Sequence, residues 1–398
     1  MSTVLAGAFA SVVGQAEAVA TLSLAVSASH GDEGVPSSAM THAWLITGPP
    51  GSGRSVAARA FAAALECPDR GCGQCVHCRT VRSGTHGDVR SFNPEGLTIG
   101  VKEMREVVKL SARRPTTGRW QIVLIEDADR LTEGASNALL KAVEEPSPQT
   151  VFLLCAPSTH PDDISVTIRS RCRVVNLVTP SVAAIANVLA RRDGIDAEQA
   201  LWAASVCGGH IGRARRLATD EQAREKRTAV LQIPAELRTI GDVYVAAAKL
   251  VDSAKAEAKS ASLERDDAEM EALKMALGAG GTGKGAVGAA RGTAGVLKDL
   301  ERKQKLRATR TQRDVVDRAL IDLSGFYRDV IALAFARNGP VTLINPDIRA
   351  DLEIAAGRIK AEGALRRLDA ILACRESIER SVKLEIAAEA LMMRLLTG

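Results

Sequence analysis

A glycine-rich run from Gly48 to Ser55 constrains the fold of this chain more than any other feature. It follows the phosphate-loop template G-x-x-x-x-G-K-[ST], in which backbone N–H groups surround phosphates and the last hydroxyl binds magnesium. Arg54 stands where the template has lysine, and its planar guanidinium is bulkier than an ammonium group. The nucleotide-binding residues that we predict are Gly48, Gly51, Ser52, Gly53, Arg54 and Ser55.

The segments on either side of the loop agree with this interpretation. Ala43–Thr47 is a short apolar run typical of a buried strand, and Val56–Leu65 has the composition of a helix. A strand, a glycine-rich loop and a helix in this order place phosphates at a helix N-terminus. A plain turn between core elements is the alternative, and the agreement of strand and helix disfavours it.

Length and composition limit the class of protein. A chain of 398 residues predicts two or three domains. Aromatic residues make up only 3% of it, so the cores must be built from Ala, Val and Leu. The net charge of +5 permits contact with nucleic acid without requiring it. No apolar run long enough to span a bilayer and no secretory signal are evident, so we expect a soluble cytoplasmic protein.

The pattern along the chain predicts three regions. Residues 1–180 alternate apolar strand-like runs with helices, which favours an α/β domain with a parallel sheet. Residues 181–222 and 223–398 are predicted to be helical. A flexible glycine-rich insertion is predicted around 277–295. Gly278–Lys284 imitates a second phosphate loop, but no strand precedes it, and we interpret it as a loop.

Two carboxylates follow the apolar strand predicted at Gln121–Ile125. After a phosphate loop, such a strand usually ends in an Asp that helps to hold magnesium, and a following acid can orient water. Here Glu126 precedes Asp127, so the side-chain lengths are exchanged and the base position is about one methylene short. We predict a catalytic pair with degraded geometry. A solvated strand end is the alternative.

Four of the eight cysteines are clustered within twelve residues, with the spacing C-x4-C-x2-C-x2-C. Four soft ligands at this spacing suit tetrahedral zinc, and a site closed by four cysteines is structural. His77 is an alternative ligand of poorer geometry. Redox thiols or small buried residues are the other interpretations. The predicted zinc ligands are Cys67, Cys72, Cys75 and Cys78.

The chain resembles the bacterial clamp-loader ATPases of the AAA+ class in five segments. They are Ser11–Gln15, His42–Ser55, Asn137–Pro146, Arg169–Cys172 and Val382–Leu395. The resemblance covers nearly the whole chain except the region around 250–300. It implies an AAA+ domain over 1–180 that carries a zinc module at 67–78, a small helical lid domain over 181–222, and an all-α collar domain over 223–398.

The resemblance also implies a function and partners. The chain would assemble with gamma/tau and delta subunits in a hetero-pentamer of the DNA polymerase III holoenzyme. That complex loads a sliding clamp onto primed DNA during replication. The sequence shows no polymerase site, so nucleotidyl transfer would belong to the holoenzyme. Arg171, in Ser-Arg-Cys, would act in trans as an arginine finger at a neighbour's ATP site. A surface arginine that caps a helix or pairs with a carboxylate is the alternative.

Four departures separate the chain from the motor subunits gamma and tau. They are Arg54, the exchanged Glu126 and Asp127, Cys155–Ser158 without a clear polar sensor, and Gly212 where those subunits carry a sensor arginine. We therefore expect a stator whose hydrolysis is weak or absent, with binding of ATP and magnesium left open. A motor-type ATPase is the alternative. A Holliday-junction helicase is disfavoured by the cysteine module and the Ser-Arg-Cys signature.

Two features of the C-terminal region remain. Arg302–Arg313 carries six basic residues, and we interpret it as the solvated face of a collar helix in preference to a DNA contact, because no aromatic residue interleaves. Apolar residues recur at helical spacing from Ala364 to Leu396. We expect them to pack the collar core and the subunit seams.

Overall fold

The computed structural model of the chain describes residues 7–277, 286–336, 339 and 341–398. These residues form two compact units, of which the first ends at Thr219 and the second is Asp220–Gly398. The loop predicted at Gly278–Lys284 lies outside the described residues. Among the described helices, none is long and apolar enough to cross a membrane.

The first unit is a parallel sheet between two layers of helices, followed by three more helices. Its elements are α1 (Ala16–His30), β1 (Ala43–Thr47), α2 (Arg54–Glu66), α3 (Val76–Ser83), β2 (Val89–Phe92), α4 (Val101–Ser111), β3 (Gln121–Ile125), α5 (Glu133–Glu144), β4 (Thr150–Ala156), α6 (Val166–Arg169), β5 (Arg173–Asn176), α7 (Val182–Asp193), α8 (Ala197–Val206) and α9 (Ile211–Thr219).

The strand order is β2-β3-β4-β1-β5, and every neighbouring pair is parallel. Alternate side chains of β1 face opposite layers, since Trp44 and Ile46 join the core under α1 and α2. Ala43 and Leu45 join the core under α4 and α5. Burial on both faces explains why the strand is an uninterrupted apolar run. The predicted α/β fold is confirmed.

The predicted bounds of the central strands agree closely with the structure. β1 and β3 have the predicted limits. α2 begins at Arg54, two residues before the predicted start, because Gly53 caps it in the left-handed region with φ 92°. This difference matters for the site, since it puts Arg54 in the first turn of the helix.

A buried carboxylate holds the connection between α4 and β3. The side chain of Asp88 accepts hydrogen bonds from the backbone N–H groups of Thr116, Thr117 and Gly118 and from both threonine hydroxyls, at 2.7–2.9 Å. Burial alone would raise the pKa of Asp88, but these donors hold it well below its usual range. The charged form therefore stabilises the folded unit.

We expect Asp88→Asn to lower the free energy of unfolding of the first unit by about 3 kcal/mol at pH 7, because an amide nitrogen would face N–H donors. The folded pKa lies below the unfolded value of about 3.9, so the loss is full above that pH and shrinks as pH falls below it. The three tryptophans, at positions 44, 120 and 202, all lie in this unit, so urea unfolding can be followed by their fluorescence.

Asp162→Asn is the matched control, because that side chain is 91% exposed. Asp162→Asn should leave the midpoint of urea unfolding unchanged both at pH 7 and below the unfolded pKa of about 3.9. Equal midpoints for wild type and Asp88→Asn at pH 7 would contradict the stabilising role of this carboxylate.

The second unit is helical, and its described residues form one large core. Its helices are α10 (Glu221–Glu236), α11 (Ile240–Ala276), α12 (Ala286–Phe335), α13 (Arg349–Arg358), α14 (Ala361–Glu379) and α15 (Leu384–Thr397). The all-α prediction for this region is confirmed.

α11 and α12 pack as an antiparallel pair, which corrects one expectation about the basic segment. Arg302–Arg313 lies on α12 as predicted, but Arg307 is only 13% exposed. Its guanidinium binds Asp266 at 2.7 Å and Glu269 at 2.6 Å on α11. Arg307 therefore joins two helices and does not belong to a solvated face.

The apolar residues of α14 divide between core and surface. Ile371 is fully buried in the core of the second unit, as predicted. Leu365 and Leu372 are 51% and 46% exposed, so these two do not pack the core. They lie on the outer side of the helix, and their predicted place in a subunit seam stays a prediction.

Candidate functional site: a phosphate loop, an outward arginine and a cysteine cluster

The phosphate loop begins where β1 ends, at the carboxyl edge of the sheet. Gly51 has φ 87°, and a Cβ atom there would lie 2.6 Å from the Cα atom of His210. Glycine is therefore required both by the backbone conformation and by the close approach of His210, which directly precedes α9. A Cβ on Gly48 would lie 2.6 Å from the Oγ atom of Ser52, so that hydroxyl points into the loop.

Two buried polar atoms of the loop have no hydrogen-bond partner among the described residues. They are the Oγ atom of Ser52, a residue that is 3% exposed, and the Nη1 atom of Arg54. Buried polar groups are nearly always paired, so unpaired ones at a helix N-terminus indicate room for an anion. The predicted loop residues are thus brought together in a geometry that suits phosphate oxygens.

Gln15 fixes the loop from behind. Its Nε2 atom donates to the carbonyl of Ser52 at 3.2 Å and to that of Val178 at 2.6 Å. Its Oε1 atom accepts from the N–H of Val178 at 3.0 Å. Gln15 is 4% exposed, and its amide joins the loop to the segment that leads into α7. This contact gives a physical reason for the Ser11–Gln15 motif.

The acidic end of β3 is occupied by a cation of the chain itself. Glu126 forms an ion pair with Arg59 of α2, and its side chain is 11% exposed. Asp127 lies 3.8 Å from the guanidinium of Arg130. A carboxylate already paired with a guanidinium fits magnesium poorly, because the ion would have to displace that arginine. The predicted pair is present, but the arrangement does not suit a metal.

The end of β4 also lacks a free polar sensor. Cys155 is fully buried, which raises the pKa of its thiol. The hydroxyl of Ser158 donates to Asp163 at 2.6 Å, so it is already committed. Asp129 lies near the site as well, and burial together with neighbouring Asp127 raises the pKa of its carboxyl. No described group at this strand end is thus free to donate a hydrogen bond to a γ-phosphate.

Arg171 lies at the amino end of the parallel strands, whereas the phosphate loop lies at their carboxyl end. It precedes β5, whose first residue Arg173 is level with Trp44 at the start of β1. Gly48 lies four residues farther along, about 13 Å at 3.3 Å per residue. The Nη1 atom of Arg171 donates to the carbonyl of Thr167 at 2.8 Å. The same guanidinium pairs with Glu144 at the end of α5.

The four predicted cysteines converge. Their Sγ atoms all lie within 4.8 Å of one another. The Sγ atom of Cys67 lies 3.6 Å from those of Cys72 and Cys75. Four sulfur atoms placed about 2.3 Å from a zinc ion would be about 3.8 Å apart, so the cluster can hold a metal ion of this kind. His77 faces His86 at 3.0 Å instead of completing the cluster.

Backbone N–H groups surround the sulfur atoms. Gln74 and Cys75 donate to the Sγ atom of Cys72 at 3.5 and 3.3 Å and lower the pKa of that thiol to about 7. Burial raises the pKa of Cys78. A metal ion would supply the charge that keeps all four groups as thiolates. The N–H of Ala8 donates to the carbonyl of Gly71 at 2.8 Å, so the module also holds the segment before Gln15.

Sequence reasoning missed the partners of the predicted residues. Arg59, Glu144 and His210 carried no recognisable signal, because a lone arginine, glutamate or histidine on a helix is common at surfaces. Their positions beside Glu126, Arg171 and Gly51 follow from packing.

The strand order, the phosphate loop after β1 and the acidic end of β3 together define a P-loop domain of the AAA+ class. Residues 32–181 match the family described as DNA polymerase III, delta subunit. The predicted resemblance to the bacterial clamp-loader subunits is therefore confirmed over this segment.

Individual relatives agree. DNA polymerase III subunit delta' of Pseudomonas aeruginosa is 36% identical over 200 residues, 48% of this chain and 60% of that protein. DNA polymerase III subunit tau of Bacillus subtilis is 34% identical over 137 residues, 33% of this chain and 24% of that protein. The chain spans 52–60% of the length of three delta' relatives that it matches.

A solved structure of a DNA polymerase III gamma subunit-related protein from Thermotoga maritima is 15% identical. It covers 89% of this chain and 93% of its own, with a TM-score of 0.36. A superposition this loose supports nothing about function.

Proposed function

We propose that the chain is a clamp-loader subunit of the delta' type, which assembles with gamma/tau and delta subunits in a hetero-pentamer. Within that complex it helps to open a sliding clamp and to place it on primer-template DNA. It acts as a stator that supplies Arg171 to a neighbour's ATP site and turns over little or no ATP itself. The cysteine cluster carries structural zinc.

The position of Arg171 carries the proposal. Arg171 lies just before β5, at the end of the sheet opposite the chain's own phosphate loop, and its guanidinium pairs with Glu144 there, so a nucleotide bound in that loop is beyond its reach. A guanidinium so placed is useful for phosphoryl transfer only at another chain's site. The similarity to delta' and tau subunits supports a place in a DNA polymerase III complex.

The direct test is co-purification with candidate gamma/tau, delta and clamp proteins from the same organism, followed by clamp loading with this chain present or omitted. We expect a complex of defined stoichiometry whose clamp loading is lost when the chain is left out. Failure to join any complex at micromolar concentration, or unchanged loading without it, would overturn the proposal.

A motor-type clamp-loader ATPase is the second candidate, favoured by the unpaired Ser52 Oγ and Arg54 Nη1 atoms in the loop. We expect no ATPase above background from the purified chain. Arg54→Lys alone should not restore it, because Arg59 would still hold Glu126. Steady-state phosphate release with magnesium and ATP decides between the candidates. ATP turnover on the order of 1 s⁻¹ by the wild-type chain or by Arg54→Lys would favour the motor role.

A further inference from the structure

The ion pair between Arg59 and Glu126 changes what the phosphate loop can bind. In a phosphate-loop site, magnesium bridges the strand-end carboxylate and the phosphates and neutralises both. In this chain the guanidinium of Arg59, five residues into α2, already neutralises that carboxylate. The guanidinium of Arg59 therefore takes the position of the magnesium ion beside Glu126 and provides the positive charge.

The loop nevertheless keeps the features of an anion site. α2 is a helix of 13 residues whose first turn carries Arg54. The hydroxyl of Ser52, on a residue that is 97% buried, points into the loop without a partner among the described residues. The Nη1 atom of Arg54 is likewise buried and unpaired. Helix N–H groups, a hydroxyl and a guanidinium form a donor set for phosphate oxygens.

We propose that this loop binds phosphate groups, from a nucleotide or from free pyrophosphate, without magnesium, and that Arg59 takes the place of the ion. Arg54 contacts the phosphates, and Arg59 keeps the acidic strand end from repelling them. The site is thus a regulatory or structural anion site with no metal to drive hydrolysis. This inference goes beyond the clamp-loader role and can fail while that role holds.

The test is calorimetric titration of the full-length chain with ATP and, separately, with pyrophosphate. Magnesium is either absent or present in excess. Trace magnesium is removed from the buffer by resin before the protein is added, because a soluble chelator would compete for the cysteine site. We expect ATP to bind with the same Kd, within about twofold, in both buffers. Equal affinity for pyrophosphate would assign recognition to the phosphates, and binding of ATP alone would assign it to the nucleotide.

Arg59→Ala tests directly whether Arg59 takes the place of magnesium. With Glu126 unpaired, affinity without magnesium should fall about tenfold, and magnesium should restore it, since the carboxylate becomes able to hold the ion. The control is Arg105→Ala, which removes an exposed arginine from α4 of the same unit and should leave both affinities unchanged. Urea unfolding followed by tryptophan fluorescence shows whether each variant folds.

Three results would overturn the inference. They are the absence of ATP and pyrophosphate binding in both buffers, a gain of tenfold or more when magnesium is added to the wild type, and an Arg59→Ala variant that binds equally in both buffers. None of these bears on whether the chain joins a clamp loader, which the co-purification experiment decides separately.

Discussion

Replacing Arg171 by alanine should lower ATP hydrolysis at the neighbouring site that receives it by about 10³-fold, because that site loses the guanidinium that stabilises charge on the transferred phosphoryl group. In a complex with further ATP sites, the DNA-stimulated ATPase should fall only by the share of that site. Clamp loading, which depends on coordinated turnover, should fall more. Both are measured on the complex reconstituted with the variant chain.

Arg171→Lys should be nearly as impaired, because an ammonium group cannot reproduce the planar fork. Folding should be unaffected, since the pair of Arg171 with Glu144 is exposed by 37% and 43% and such pairs contribute about 1 kcal/mol or less. Arg169→Ala is the matched control, an exposed arginine two residues away whose Nη1 atom donates weakly to Thr159 at 3.4 Å. DNA-stimulated ATPase that is unchanged in Arg171→Ala and Arg169→Ala alike would contradict the arginine-finger role.

Loss of one ligand should empty the cysteine cluster and unfold its surroundings. Structural zinc contributes apparent binding energies on the order of 10 kcal/mol to small modules, and the loop of Cys67–Cys78 has no regular structure before α3. We expect about one equivalent of zinc in the wild type and almost none in Cys75→Ser. Metal content is measured by mass spectrometry after purification without added zinc.

The consequences of zinc loss should extend to the segment that holds the phosphate loop from behind. The module holds Ala8 through Gly71, and the following segment carries Gln15, which binds Ser52. Hydrogen exchange should therefore speed up over residues 7–15 and 67–84 in Cys75→Ser. Cys374→Ala, in the second unit, is the control and should keep its zinc. Less than about half an equivalent in fresh wild-type protein would argue against a zinc site.

Much of the first unit could be predicted because its signals are local. The limits of β1 and β3 follow from runs of apolar residues buried on both faces, and the loop follows from glycines within eight positions. The start of α2 was misplaced by two residues, because the left-handed cap at Gly53 is invisible to hydrophobic periodicity.

The electrostatic arrangement of the site could not be predicted in the same way. Arg59 and Glu126 are 67 positions apart, and their pairing depends on how α2 packs against the sheet. Arg307 shows the same limit in the second unit, since its partners on α11 are about 40 positions earlier. A sequence pattern reports which charges exist, whereas tertiary packing decides which of them neutralise each other.

The sequence by itself determined the phosphate loop, the acidic strand end, the cluster of four cysteines and the order of α/β and helical regions. Each of these rests on residues within a few positions of one another, where backbone geometry alone fixes what they can form. Only the tertiary structure decided that Glu126 pairs with Arg59 and that Arg171 lies at the end of the sheet opposite the phosphate loop. Both depend on the parallel pairing of strands and on helix packing, which join residues that are distant in the chain.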